Sequence, residues 1–292
     1  MSSTCVTTAR LQGPVDAVRT VDGELFDTHT YSRMKHGDAD AVDALGNRLA
    51  EALIEQCPYL ITDEAEPTLP VAYLAVRPSC WFLADVVLQR LNADRAARGL
   101  SAGRIVQVFK DSVTHTDYAA STQAEREAEL ARIGFELAEP IDGTNCVVID
   151  DVRVTGLAER TVLAALQAAR PKTLVTGYLA VCEPDLAASP HVESALNHAA
   201  ITSILQLVPA AQAGRFHLTI RFLKRALASP ELPQFVAQVP PELVQEMYDG
   251  AVATGEQFMA GYPEGMATLS SLVERGEETA RVETPQERGA HV

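Results

Sequence analysis

Cys146-Val-Val-Ile-Asp150-Asp151-Val-Arg153-Val-Thr155-Gly156 is the most informative stretch of this chain. Its uncharged start, with β-branched residues from Val147 to Ile149, reads as a strand buried on both faces, the kind found inside a parallel sheet. Two adjacent carboxylates end that run, a short turn closes on Thr155 and Gly156, and residues 157–169 carry apolar side chains at helical spacing. In an open α/β sheet ligands settle just past the carboxyl ends of the strands, and a helix N-terminus offers unpaired N–H groups and a positive dipole to an anion. The acids suit hydroxyls or a magnesium-coordinated group, and the turn has the size of a phosphate. Adjacent acids also end ordinary solvated strands and occur in receiver domains. A receiver, however, carries its pair after the first strand, and here two strand–helix units come first.

Working outward, residues 71–76 read as the first core strand, followed by the turn Arg77-Pro78-Ser79-Cys80 and a helix that buries Leu83, Val86, Val87 and Leu91. Residues 104–109 form the second core strand and end at Lys110. Residues 111–121 are rich in hydroxyls and read as a mobile loop, and Thr122 with Glu125 makes a capping box for a polar helix to about residue 133. The strand at 173–181 follows the 146–156 unit. This alternation predicts an α/β fold with a mostly parallel sheet flanked by helices. Upstream, Asp38 or Asp40 caps a helix with Val42, Leu45, Leu49 and Leu53 on one face, after the polar cluster from Tyr31 to Asp38. Ser189 reads as a helix cap, residues 201–208 as an edge strand, and residues 242–259 as a helix. The densest basic stretch holds Arg215, His217, Arg221, Lys224 and Arg225. Residues 1–30 read as a loose arm or an edge hairpin, 31–208 as the core, 209–270 as a helical appendage, and 271–292, charged and without apolar periodicity, as a disordered tail.

The whole chain has 292 residues and a formal charge of −15, which argues against nonspecific binding to nucleic acid or acidic membranes, since both reward a basic surface. Cys5, Cys57, Cys80, Cys146 and Cys182 are odd in number and widely spaced, which favours a reduced, cytoplasmic chain over a disulfide or zinc framework. Neither a signal peptide nor a bilayer-spanning stretch is legible.

The 146–156 segment resembles the phosphoribosyl pyrophosphate (PRPP) motif of the type I phosphoribosyltransferases: an apolar run, two acids, then a turn ending in hydroxyl–Gly. The resemblance implies that Asp150 and Asp151 hold the ribose 2- and 3-hydroxyls, while Arg153, Val154, Thr155, Gly156 and Leu157 cradle the 5-phosphate. It further implies that Arg77, Ser79 and the N–H groups of Ser79 and Cys80 face the pyrophosphate, with Lys110 beside them. The 111–121 segment matches the family's flexible catalytic loop, which would deliver His115, Asp117 or Tyr118. Three positions depart from the pattern: Val154 replaces a common Thr, Ala158 stands where a second Ser or Thr is frequent, and Pro78 stiffens a loop that is usually small and Gly-rich. The cluster from Tyr31 to Lys35 is similar to a segment in the branch encoded beside bacterial stress and tellurium-resistance genes. There Arg33 and Lys35 either reach an anionic substrate or are solvated charges.

The implied activity is Mg²⁺-dependent transfer of the 5-phosphoribosyl group from PRPP to an acceptor that the sequence does not identify, with Mg²⁺ carried by PRPP and touched at most by Asp150 and Asp151. A PRPP- or nucleotide-sensing protein without turnover, or a ribosyl-phosphate hydrolase or phosphorylase using the same pocket, are the rival readings. A homodimer is left open.

Overall fold

The computed structural model describes residues 3–110, 135–189 and 191–283. In chain order it holds β1 (Thr4–Thr7), β2 (Arg10–Gln12), β3 (Arg19–Thr20), α1 (Thr28–Lys35), α2 (Ala39–Gln56), α3 (Tyr59–Thr62), β4 (Pro67–Ala72), α4 (Ser79–Ala96), β5 (Arg104–Lys110), β6 (Phe135–Leu137), β7 (Asn145–Arg153), α5 (Leu157–Ala168) and β8 (Thr173–Cys182). Short helices α6 (Pro184–Ala187) and α7 (Val192–His198) follow. A 3₁₀ turn (Ile204–Leu207) leads into α8 (Val208–Gln212), α9 (Ile220–Leu227), α10 (Leu232–Val236), α11 (Pro241–Thr254), α12 (Glu256–Ala260) and α13 (Pro263–Glu283).

The sheet order is β3-β2-β8-β7-β4-β5-β6, with β1 beside the first half of β8. The pairs β8–β7, β7–β4 and β4–β5 are parallel, and the outer pairs β2–β3 and β5–β6 are antiparallel. From β4 the chain winds first to β5 and then back to β7, so the order reverses between β4 and β7. That switch point is where a parallel sheet opens a crevice. The ladder between the two strands covers only Pro67–Thr68 against Asn145–Cys146, leaving their carboxyl-terminal halves without a shared ladder.

One apolar layer packs α2 and α4 on the sheet through Leu49, Leu53, Leu83, Val87, Val147, Ile149 and Val175. The opposite face carries Val106, Cys146, Leu166 and Leu174, with Leu166 closing α5 over the strands. A second core, from Ile201 to Leu269, joins the C-terminal helices and takes in Val76 from the turn after β4.

Several expectations are corrected. The first core strand is β4, four residues upstream of the expected start at Val71. Pro67 and Pro70 disguise it, and Pro70 is tolerated because the β7 ladder has already ended at Thr68. Strand β7 does not end at the two acids but runs two residues past them to Arg153. Ser189 caps no helix, α7 starting at Val192 behind His191. Residues 201–208 form no edge strand: Ser203 and Gln206 make a capping box around the 3₁₀ turn. The helix expected over 242–259 breaks at Gly255, whose φ of 111° separates α11 from α12. The tail expected to be disordered from residue 271 instead continues α13 to Glu283, anchored by Leu269 and Leu272 in the second core. Residues 1–30, read as arm or hairpin, supply β1–β3 to one sheet edge.

Candidate active site

Strand β7 continues through both acids, but its ladder to β8 passes from Asp150 to Val152 without Asp151, so the two-residue period is broken at the acids. Val147 and Ile149 lie on the α2–α4 side and Cys146 and Val148 on the opposite side, whereas beyond the acids Val152 and Val154 pack on the α2–α4 side. Asp151 is buried, and its Oδ2 is ion-paired with the buried Lys35 of α1. Its Oδ1 accepts from the Val152 N–H at 2.7 Å and from the Tyr31 hydroxyl at 3.3 Å. Although burial opposes ionisation, the Lys35 charge and these bonds hold the Asp151 carboxyl below the usual range. Asp150 keeps solvent-accessible area yet its carboxyl is densely surrounded by protein. That crowding, with the charge of Asp151, pushes it upward to about 7. Its Oδ1 accepts from the Asp151 N–H at 2.9 Å.

Behind Asp151 a polar chain runs into the C-terminal helices. Tyr31 Oη also lies 3.3 Å from Asn197 Oδ1, and Ser32 Oγ donates to the Asn197 carbonyl and accepts from Ile201 N–H. His36 Nδ1 lies 2.8 Å from the Ser32 carbonyl, and Arg225 Nη1 donates to both His36 Nε2 and the Ile201 carbonyl. This pattern assigns a neutral His36 protonated at Nδ1. Burial, with help from Arg225 and Arg221, pushes its pKa down to about 3.

The turn after β7 carries Gly156 at φ 68°, which opens α5 with no side-chain cap among the described residues. Arg153 folds across it and pairs with Glu159 through Nε at 2.7 Å, so tightly that a Cβ on Gly156 would sit 2.8 Å from that Nε. Val154 packs against the core, and Thr155 is exposed. Ser79 is buried in the first turn of α4 behind Pro78, again without a side-chain cap, and Cys80 is half-buried. Arg77 lies over Trp81, its guanidinium carbon 3.7 Å from the ring centroid. Gln107 holds the same turn by donating to the Tyr73 and Leu74 carbonyls.

That turn forms one wall of a cleft of about 770 Å³. Phe82 and His217, stacked at 4.4 Å, line it, and α11 contributes Glu242, Glu246 and Asp249. Burial raises the Glu246 carboxyl while Arg77 opposes the rise.

A family model described as PRTase ComF-like matches residues 21–262 of this sequence. The chain belongs to the ComF-like phosphoribosyltransferase family. No curated protein matches it. Among solved structures, the hypoxanthine-guanine phosphoribosyltransferase of L. donovani aligns at 13% identity, covering 49% of this chain and 70% of its own, with a TM-score of 0.33. That of Leishmania tarentolae, in complex with GMP, aligns at 11% identity over 51% and 70%, TM-score 0.32. The hypoxanthine phosphoribosyltransferase of Trypanosoma cruzi, a mutant form complexed with the product IMP, aligns at 10% over 50% and 75%, TM-score 0.33.

In this chain of the ComF-like family the fold brings the residues from Asp150 to Leu157 together at the carboxyl end of β7 and sets the turn from Arg77 to Cys80 after β4, across the switch point. Lys110 ends β5, where its backbone pairs with Phe135. His115, Asp117 and Tyr118 lie outside the described residues. Arg33 pairs with Asp38 rather than standing solvated. The bond from Lys35 to Asp151 and the roles of Tyr31, Asn197 and Glu159 were not legible in the sequence. Glu159, six residues beyond Arg153, could have been found as a partner across the turn. Asn197 carried no signal at all. Among the described residues no group of three or more His, Cys, Asp or Glu could hold a metal ion, and no helix is long and apolar enough to cross a membrane.

Proposed function

We propose that this chain is a Mg²⁺-dependent phosphoribosyltransferase, moving the 5-phosphoribosyl group of PRPP to an acceptor nucleophile and releasing pyrophosphate. The observation that carries this reading is the arrangement at one edge of the crevice: Asp150 at the end of β7, a glycine turn, and the uncapped N-terminus of α5. Thr155, Gly156 and the first N–H groups of α5 would receive the 5-phosphate. Binding there fixes the sugar, so that affinity far from the reacting carbon serves geometry at C1.

In the transfer the acceptor's electron pair forms the new bond at C1, the C1–O bond to pyrophosphate breaks, and the pair departs on pyrophosphate while the acceptor proton passes to solvent. Arg77, together with the N–H groups of Ser79 and Cys80 and the charge of Lys110, would stabilise that leaving group. Asp150 would meet the ribose hydroxyls and offset the positive charge growing on the ring. A magnesium ion suits this donor set: hard, using few protein ligands, and contacted through Asp150, it would neutralise pyrophosphate charge when bound. The cleft between the turn after β4 and α11 is the proposed seat of the acceptor.

The second reading, a PRPP sensor without turnover, is favoured by the Arg153–Glu159 pair and the inward Val154, which remove donors from the phosphate turn. Calorimetric titration with PRPP and Mg²⁺, paired with an assay for pyrophosphate release over a panel of bases and amines, separates the two. Saturable binding with release supports transfer, binding without release supports the sensor, and no binding defeats both.

A further inference from the structure

The two neighbouring acids do not stand equal. Asp151 points into the buried polar chain, with Oδ2 taken by Lys35 and Oδ1 by the Tyr31 hydroxyl and the Val152 N–H. A carboxylate has about four lone-pair sites, and three of these are occupied by protein. Lys35 is itself buried, so its ammonium exchanges few contacts with water. Tyr31 is fully buried and held in turn by Asn197. Asp150, by contrast, is exposed and stands a few residues before the phosphate turn.

We propose that Lys35 is a positioning residue: with Tyr31 it anchors Asp151 as an inward carboxylate, which fixes the end of β7 and leaves Asp150 as the acid that meets the sugar hydroxyls. The inference rests on the transferase or sensor reading above only in taking PRPP as the ligand. Asp151 acts through the backbone. Its Oδ1 holds the Val152 N–H while its own N–H donates to Asp150 Oδ1, so a shift of Asp151 is passed to Asp150 directly.

The test is calorimetric titration of the full chain with PRPP and Mg²⁺, alongside thermal unfolding, for Lys35→Met, Lys35→Arg and Asp150→Asn. Losing one partner of a buried charge pair should weaken PRPP binding about tenfold or more in Lys35→Met, and Lys35→Arg should recover most of it. Asp150→Asn should lose binding without a fall in Tm. A purely structural Lys35 would lower Tm but leave Kd unchanged in the folded protein, and that result overturns the proposal. Should Lys35→Met fail to fold, Tyr31→Phe takes its place: weaker PRPP binding supports the proposal and an unchanged Kd overturns it. If the unaltered protein does not bind PRPP, this inference falls together with the proposed function. If it binds and Lys35→Met binds equally well, this inference alone falls.

Discussion

At the scale of single residues, the site stores an electrostatic cost. The folded-state pKa of Asp150 lies above its ordinary 3.8, so the fold favours the neutral carboxyl. Its stabilising preference is complete below about 4 and is lost as pH rises through about 7. Asp150→Asn is therefore expected to raise Tm over the parent at pH 8 and to lose that advantage at pH 5, the solvent exposure of the side chain keeping the effect small. Unfolding scans at the two pH values check it, and an advantage larger at pH 5 would contradict the assignment. His36 runs the other way. Its folded pKa near 3 lies below the ordinary 6.5, so the unfolded chain takes up a proton first and stability falls as pH drops from about 6.5 toward 3. The expected contribution is at most about 1.4 kcal/mol per pH unit. Urea titrations at pH 7, 5.5 and 4.5 should show His36→Gln losing less stability with acid than the parent. Equal losses would mean that His36 is not held neutral.

At the scale of elements, the helices over the sheet are set by close approach. Gly46 of α2 faces Val86 of α4, and a Cβ there would sit 2.7 Å from Val86 Cγ1. Gly46→Ala gains about 1 kcal/mol of helix propensity but overpacks the contact at a cost of about 1–3 kcal/mol. A net loss of stability is expected, with Val86→Ala restoring it in the double variant; chemical denaturation of the two singles and the double gives the coupling. A Gly46→Ala protein as stable as the parent would mean the helices can move apart freely. The same scale explains what could be read without coordinates. The helix capped by Asp38 and the strands at β5, β7 and β8 followed from apolar runs and caps because their burial is local to each segment. Strand β4 did not, since Pro67 and Pro70 act as breakers unless the neighbouring ladder is known to end at Thr68. The acids were legible as a pair but not as unequal, one buried and one exposed, because that depends on the side chains that α1 brings to Asp151. The Lys35–Asp151 bond spans a sequence separation of 116 residues, and no local pattern reports such a contact.

At the scale of the whole molecule, a seam of backbone bonds joins the two cores beside the polar chain from Tyr31 to Arg225. His217 N–H donates to the Gly37 carbonyl at 2.7 Å, Ala39 N–H to Arg215 O, and Ile220 N–H to Arg77 O, while Arg215 reaches Asp40 and Asp43. His217 of the seam also lines the cleft, so the proposed acceptor wall depends on this joint. Gly37 is its tightest point: its φ is 96°, and a Cβ would sit 2.1 Å from the His217 carbonyl oxygen. An alanine there meets backbone rather than a flexible side chain, so relief requires moving one core against the other. Left-handed backbone costs a non-glycine residue about 1–2 kcal/mol, and the overpacking adds about 1–3 kcal/mol. Gly37→Ala should therefore loosen the C-terminal helices before the sheet unfolds. Trp81, the one tryptophan of the sequence, stands beside Arg77 and Phe82 near the cleft and reports on that wall. In urea the parent should show coincident transitions by Trp81 fluorescence and far-ultraviolet circular dichroism, because the seam couples both cores. In Gly37→Ala the fluorescence midpoint should fall below the dichroism midpoint. Midpoints that stay coincident while both shift down would mean that the two cores unfold as one unit even when the joint is broken.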